Sequence, residues 1–286
     1  MPAFKIHTMV FPEKKRKAVT FSYDDGRLGD RRLVEIMNRY GAKGTFNLNS
    51  GNLGKAKTVE IDGKTVDDST VTIEEIPQLY KGHEVATHAA NHMAVTDCGA
   101  EALYWILEDR RVLEGIVPYM VQGHAYPFGI YDKESFAMLK AAGIRYARTV
   151  ISTGSFELPE NFLEWHPTCH HDDARLMEFA KQFCEQDADL MRPQLFYVWG
   201  HSFEFDRNQN WDIMENLLTY LSGYADNIWM ATNGEIVDYM AAYKSLVYSA
   251  DGSRVYNPSL QTVWMETEGK IYEIASGQTV VLRKGV

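Results

Sequence analysis

The chain has 286 residues, enough for one large α/β domain or two small ones. Hydrophobic residues make up 45% and charged residues 24%, ordinary for a soluble globular protein that buries its core without disulfides. The net charge of −10 disfavours nonspecific contact with nucleic acid, which needs cationic surface to displace counterions. No apolar run approaches the length of a membrane span, so no membrane partner is expected. The three cysteines, Cys98, Cys169 and Cys184, are odd in number and lack C-x-x-C spacing. They suggest neither a disulfide framework nor a cysteine zinc site. The start, Met1 to Pro12, lacks the features of a signal peptide, and a cytoplasmic location is expected from it. The basic run Lys14-Lys15-Arg16-Lys17 reads as a solvated lead-in to a strand.

Short apolar runs alternate with amphipathic stretches, the pattern of a βα-repeating architecture. Ala18 to Tyr23 is the first strand expected, followed by a helix with Leu33, Ile36, Met37 and Tyr40 on one face and Gly41 as its stop. Thr45 to Leu48 is the next strand. Gly51 to Val71 is an excursion, with Thr58 to Ile61 and Lys64 to Val66 flanking the hairpin signal Asp62-Gly63. Thr72 and Glu75 make a capping-box pattern for a short helix. Gly82 to Ala86 leads as a strand into His88, and Ala100 to Glu114 is helical. Asp132 caps a helix containing Phe136 and Leu139 and ended by Gly143. Ile144 to Val150 is a strand, Asp173 to Cys184 a helix, Leu195 to Trp199 a strand and Trp211 to Leu221 a helix. Ile228 to Ala231 is a strand, and a helix runs from about Gly234 to Leu246. Beyond Ser249, turn pairs punctuate three short strands, Val263 to Met265, Lys270 to Ile274 and Thr279 to Leu282. The expected organisation is a catalytic domain over 1–248 and a small β appendage over 249–286, packed on it.

Three segments carry candidate chemistry. In Thr20-Phe21-Ser22-Tyr23-Asp24-Asp25-Gly26, two adjacent carboxylates end a strand, and a bound cation would relieve their repulsion. The carboxyl ends of strands are where parallel βα folds place ligands. In His88-Ala89-Ala90-Asn91-His92, two imidazoles four apart are a workable ligand spacing. In Val198-Trp199-Gly200-His201, a third histidine stands just past a strand end. One carboxylate and two imidazoles leave coordination positions free for water and substrate, as a catalytic metal requires. A second carboxylate could take the water's proton, and a more distant histidine could protonate a leaving group.

These segments resemble the polysaccharide deacetylase family, also called the NodB-homology or carbohydrate esterase 4 family. Thr20 to Gly26 is similar to its first motif, T-F-D-D-G, with Ser22-Tyr23 inserted. Gly82-His83-Glu84 followed by His88 and His92 is similar to the second motif. Ala125-Tyr126-Pro127-Phe128-Gly129 is similar to the third, R-x-P-[YF]-G, and His201 to the histidine of the fifth. The resemblance implies an irregular (β/α) barrel with fewer than eight strands, seven expected. It implies Asp24 as base, Asp25, His88 and His92 as metal ligands, His201 as general acid and the Phe128 N–H as an oxyanion donor. Tyr126, Pro127 and Trp199 are the expected substrate-binding residues. The expected cofactor is one divalent metal ion, zinc first, with cobalt, nickel or manganese as alternatives.

This sequence departs from the family in three places. The third motif lacks its arginine, which in the family holds the catalytic aspartate. Arg148 and Arg145, near the next strand, are candidates to reach it instead. Ala89 replaces a Ser/Thr of the second motif, and Trp199 replaces a leucine, which points to a small acyl group. Glu204 is a candidate cleft residue. The cluster Trp165 to Asp173 reads as a loop with surface imidazoles, and Asp172 or Asp173 as a helix cap, in preference to a second metal site at His170 or His171. The expected activity is removal of N- or O-linked acetyl groups from a small carbohydrate or oligosaccharide by attack of a metal-bound water. The alternative is hydrolysis of a non-peptide C–N bond in a small amide or cyclic ureide, and a homo-oligomer is compatible with either.

Overall fold

The computed structural model describes residues 7–61, 64–186 and 192–282. Strands β1 (His7–Val10), β2 (Lys17–Asp24) and β3 (Gly44–Leu48) precede a hairpin of β4 (Thr58–Ile61) and β5 (Lys64–Asp67). Then come β6 (Glu84–Thr87), β7 (Gly123–Ala125), β8 (Tyr146–Arg148), β9 (Cys169–His170), β10 (Gln194–His201) and β11 (Ile228–Met230). The chain closes with β12 (Val247–Tyr248), β13 (Arg254–Tyr256), β14 (Val263–Thr267), β15 (Lys270–Ile274) and β16 (Thr279–Val281). The helices are α1 (Asp30–Arg39), α2 (Ile76–Leu79), α3 (Ala102–Glu114), α4 (Lys133–Ala141), α5 (Leu176–Glu185), α6 (Phe203–Asn208), α7 (Asp212–Ser222) and α8 (Asn233–Lys244).

The central sheet is parallel, in the order β8-β7-β6-β3-β2-β10-β9. It curls until its edges meet. The Trp165 N–H donates to Ala147 O, and the Thr149 N–H donates to Trp165 O. A few residues on, Thr168 and His171 donate to Tyr197 and Trp199 of β10. The segment from Trp165 to His171 is therefore the seam that closes a seven-stranded barrel, rather than the loop its sequence suggests. Pro167 brings no N–H to a ladder, and only Cys169–His170 pair as a strand. β11 lies beside the first half of β2, on the edge whose second half takes β3.

The side-chain alternation of β2 and β3 decides what each face holds. Val19, Phe21 and Tyr23, with Phe46 and Leu48, join the core formed with Leu33, Ile36 and Met37 of α1 and Leu217, Leu218 and Leu221 of α7. Thr20, Ser22, Asp24, Thr45 and Asn47 are the alternate residues, all buried, and bond to one another or to other barrel side chains. At the lower end Asn233, in the first turn of α8, bonds to Thr20, Thr45 and Tyr197 from three strands. The barrel is thus polar inside and apolar outside, which leaves its upper rim free to carry charged groups.

Several expected elements form with altered ends. The strand expected over Ile144 to Val150 pairs only as β8, and α5 starts at Leu176 rather than Asp173. Asp132 caps α4 in a capping box with Ser135, as expected in part. A second box, Thr232 with Glu235, starts α8. Glu75 accepts from the Thr72 N–H at 2.9 Å, but the helix it introduces has only four residues. β4 and β5 pair as expected, and their Asp62-Gly63 turn lies outside the described residues.

β1 pairs antiparallel with β14, which pairs with β15. The start of the chain thus completes a sheet made otherwise from the C-terminal segment. A second small sheet joins β12, β13 and β16. Val255, Val263, Met265 and Ile274 pack on Ala242 of α8, which ties this β-rich segment to the barrel. Among the described residues, no helix is long and apolar enough to cross a membrane.

Candidate active site

The carboxyl ends of β2, β6, β8 and β10 meet at one rim. Asp25 follows β2, its N–H held by Asn47 O and its backbone turned to φ 76°. His88 follows β6, its N–H held by Leu48 O. His92 lies one turn further on, and its ring stands edge-on to His88 at 4.8 Å. The ligand atoms of Asp25, His88 and His92 all lie within 4.8 Å of one another. His88 Nε2 is 3.8 Å and His92 Nε2 3.7 Å from Asp25 Oδ1.

The donor chemistry fits a divalent ion. His88 Nδ1 is 2.8 Å from Ala125 O. A carbonyl only accepts, so Nδ1 carries a proton and Nε2 is the ring atom turned toward Asp25. That is the backbone-anchored arrangement of a metal-ligating histidine. Burial, first, and then His88 lower the pKa of His92, the direction that favours the neutral imidazole a ligand must be.

Asp24, at the end of β2, is 2% exposed. Its Oδ1 accepts from Asn47 Nδ2 at 2.9 Å. Its Oδ2 faces His88 Nε2 at 3.7 Å and His201 Nε2 at 3.9 Å, and forms an ion pair with Arg148. Burial alone would raise its pKa. Arg148, His88 and His201 outweigh burial and hold it at about 2. Asp24 is therefore held as a fixed, ionised carboxylate beside the group formed by Asp25, His88 and His92.

Arg148 is 0% exposed, and the residue opposite it across the ladder is Ala125. Ala125 occupies the position where the third motif has its arginine. Arg148 stands one strand sideways, at the register partner of Ala125, and its guanidinium reaches Asp24. Trp199 packs under it, ring centroid 4.5 Å from the guanidinium carbon. Arg145 instead pairs with Asp238 at the surface. Arg148→Ala strands a buried carboxylate and is expected to cost about 3–5 kcal/mol of stability. Adding Ala125→Arg to that variant should recover part of the loss. Denaturant unfolding of both proteins checks it, and no recovery would mean that the two positions cannot exchange roles.

Across from Asp25, His88 and His92, His201 ends β10, and Glu204 sits three residues on, in α6. Glu204 Oε2 is 3.1 Å from the His201 N–H nitrogen and 3.3 Å from His201 Nδ1. It is also 3.1 Å from His170 Nε2 and 3.5 Å from His171 Nε2. Burial opposes the Glu204 charge, but His170 and His201 hold its pKa well below the carboxylate range. Burial likewise lowers the pKa of His201, but Glu204 and Asp24 outweigh it, and the net shift is upward.

His170, His171 and Glu204 bring their ligand atoms within 4.8 Å of one another. The tautomers argue against an ion there. His170 Nδ1 accepts from the Asp172 N–H at 3.1 Å, so Nε2 holds the proton and points it at Glu204. His171 is no surface imidazole: it is buried, stacked between Tyr23 and Phe205. Gly200 makes room for it, since a Cβ at that position would lie 2.0 Å from the ring. Nor do Asp172 and Asp173 cap α5. Asp172 accepts from Asn208 and Asn210, and Asp173 from Arg175.

The third-motif segment divides. Phe128 is 65% exposed at φ 59°, its ring edge-on to His92 at 4.5 Å. Tyr126 was expected to touch substrate but is 0% exposed, with its hydroxyl donating to Leu163 O. It packs beneath the rim, as does buried Pro127. Their role is to shape the turn that presents Phe128. Trp199 is 9% exposed, between Arg148 and the rings of His170 and His201. Asn47 was not foreseen. Its signal lay in the alternation Thr45-Phe46-Asn47-Leu48, which puts an amide on the polar face beside Asp24.

The parallel barrel thus carries at one rim an Asp-Asp pair and two histidines, of which Asp25, His88 and His92 form a group that could hold a metal ion. The polysaccharide deacetylase family model matches residues 12–147. Over that segment, just under half of the chain, the sequence is similar to the polysaccharide deacetylase family that its motifs indicate. A Mycobacterium smegmatis protein assigned as a polysaccharide deacetylase is 17% identical, with a TM-score of 0.60 over 85% of this chain and 96% of that one. A family 4 carbohydrate esterase from Streptomyces lividans, solved with acetate, is 15% identical, with a TM-score of 0.48 over 76% and 93%. A Bacillus cereus polysaccharide deacetylase is 14% identical, with a TM-score of 0.45 over 76% and 91%. The first of these supports the fold. No curated protein sequence matches the chain.

Proposed function

We propose that this chain is a metal-dependent hydrolase that removes N- or O-linked acetyl groups from a carbohydrate. The observation that carries this reading is the position of Asp24, buried and ionised, 3.7 Å from His88 and 3.9 Å from His201. Base, metal cradle and acid then share one site. Asp25, His88 and His92 would hold the ion, zinc first among the divalent metals such a donor set takes. A bound ion would lower the pKa of a water and polarise the acyl carbonyl.

The side chains do the rest. Asp24 takes the proton of the attacking water, with Asn47 fixing its rotation and Arg148 keeping it charged. His201 protonates the departing amine or alkoxide, and Glu204 favours the charged form of that imidazole. The Phe128 N–H is the proposed oxyanion donor. Trp199 walls the acyl side and leaves room for a small group such as acetyl. The alternative of cyclic-ureide or amide hydrolysis drew its support from the missing third-motif arginine, and Arg148 removes that reason.

Acetate release from N-acetylated and O-acetylated sugars, followed from pH 5 to 9 on zinc-loaded protein, tests the reading. Activity should fall as pH rises through the pKa of His201, because only the protonated ring can donate. Glu204→Gln removes the charge that raises that pKa, so the fall should begin at lower pH and the rate at pH 8 should drop by about tenfold or more. No acetate from any acetylated sugar would sink the assignment. An unmoved alkaline limb would remove Glu204 from its role.

A further inference from the structure

The loop that carries both histidine ligands has little regular structure of its own. Ala89 and His92 sit at φ 57° and 56°, in the left-handed region that side chains other than glycine adopt at a cost. Such a conformation persists only where the surroundings impose it. Here the three residues after β3 do so. Asn49 Nδ2 donates to both His88 O at 2.5 Å and Ala89 O at 2.7 Å. The Gly51 N–H donates to Ala90 O at 2.9 Å. Three successive carbonyls, those of residues 88, 89 and 90, are thereby caught by one short segment. Its closeness requires Gly51, where a Cβ would lie 2.5 Å from Asn91 Oδ1 and 2.8 Å from Ala90 O.

That segment is anchored from behind. Asp109 of α3 is buried, and its Oδ1 accepts from the Ser50 N–H at 2.9 Å. The chain of contacts runs from α3 through Ser50 to Asn49 and Gly51, and from these to the backbone between the two ligands.

We infer that Asn49, Gly51 and Asp109 form a clamp that sets the metal affinity of this site by holding His88 and His92 in ligand geometry. They are positioning residues. The inference rests on the metal reading above. It accounts for Ala89 in the place of a Ser/Thr, because the hydrogen bonds this loop needs come from Asn49 instead.

The test is zinc affinity by competition with a chromogenic chelator, together with the visible spectrum of the cobalt-loaded protein. Asn49→Ala should bind zinc about 10- to 100-fold more weakly. It should shift the cobalt bands while the far-ultraviolet circular dichroism of the metal-free protein stays that of the wild type. Gly51→Ala, which crowds Ala90 O and Asn91 Oδ1 in the same loop, should do likewise, and it serves if Asn49→Ala does not fold. Wild-type affinity and cobalt spectrum in either folded variant would overturn the clamp. A wild-type protein that takes up neither zinc nor cobalt would overturn the metal reading, and the clamp with it.

Discussion

Asp24→Asn is expected to keep its metal and lose turnover by about 10²- to 10⁴-fold, the usual contribution of a positioned base. The amide has the shape of the carboxylate and can accept from Arg148 through its oxygen, but it cannot take a proton from water. It also removes the anion facing a fully buried guanidinium. Unpairing a buried charge costs about 3–5 kcal/mol, so a lower thermal midpoint should accompany the kinetic loss. The two effects separate by assay below the variant's transition. Acetate release per folded protein, with metal content by elemental analysis on the same samples, gives the answer. Activity near that of the wild type would remove Asp24 from the role of base. Loss of the metal would make it a ligand.

The second large effect is expected from His88→Ala combined with His92→Ala. The wild type should carry about one ion per chain, and the double variant should lose it together with acetate release. The linkage is also measurable as stability. An ion that binds only the folded chain stabilises it by about 4 kcal/mol when present at a thousand times its dissociation constant. A chelator should therefore lower the thermal midpoint of the wild type and leave that of the double variant where it is. Full metal content in the double variant would place the ion elsewhere, with His170, His171 and Glu204 as the next group to alter. Metal without acetate release in the wild type would turn the search toward other acyl or C–N substrates.

The motifs around Asp24, His88 and His201 were legible because each is local. A strand end, a glycine or a pair of histidines announces itself within a few residues. Arg148 was legible only as a candidate. The choice between it and Arg145 depended on which side of β8 faces inward, and a one-residue shift reverses that. Tyr126 misled for the same reason. Its place in a motif says that it is near the rim, and only packing against Leu163 and Tyr131 says that it lies beneath it. Glu204 was within reach as a carboxylate one helical turn past His201. That His170 would share it was not, because β9 is only two residues long and follows Pro167 too closely to read as barrel.

By itself the sequence determined the βα alternation, the order of the motifs and the residue types of the candidate site, because hydrophobic period and residue chemistry are properties of neighbours along the chain. The tertiary structure alone decided which arginine pairs with Asp24, which histidines share Glu204, how Asn49 holds the ligand loop and that β1 completes the sheet of β14 and β15. Each of these is a contact between segments far apart in sequence. Such contacts are fixed by strand register and barrel closure, which depend on all the strands at once and leave no mark in any one of them.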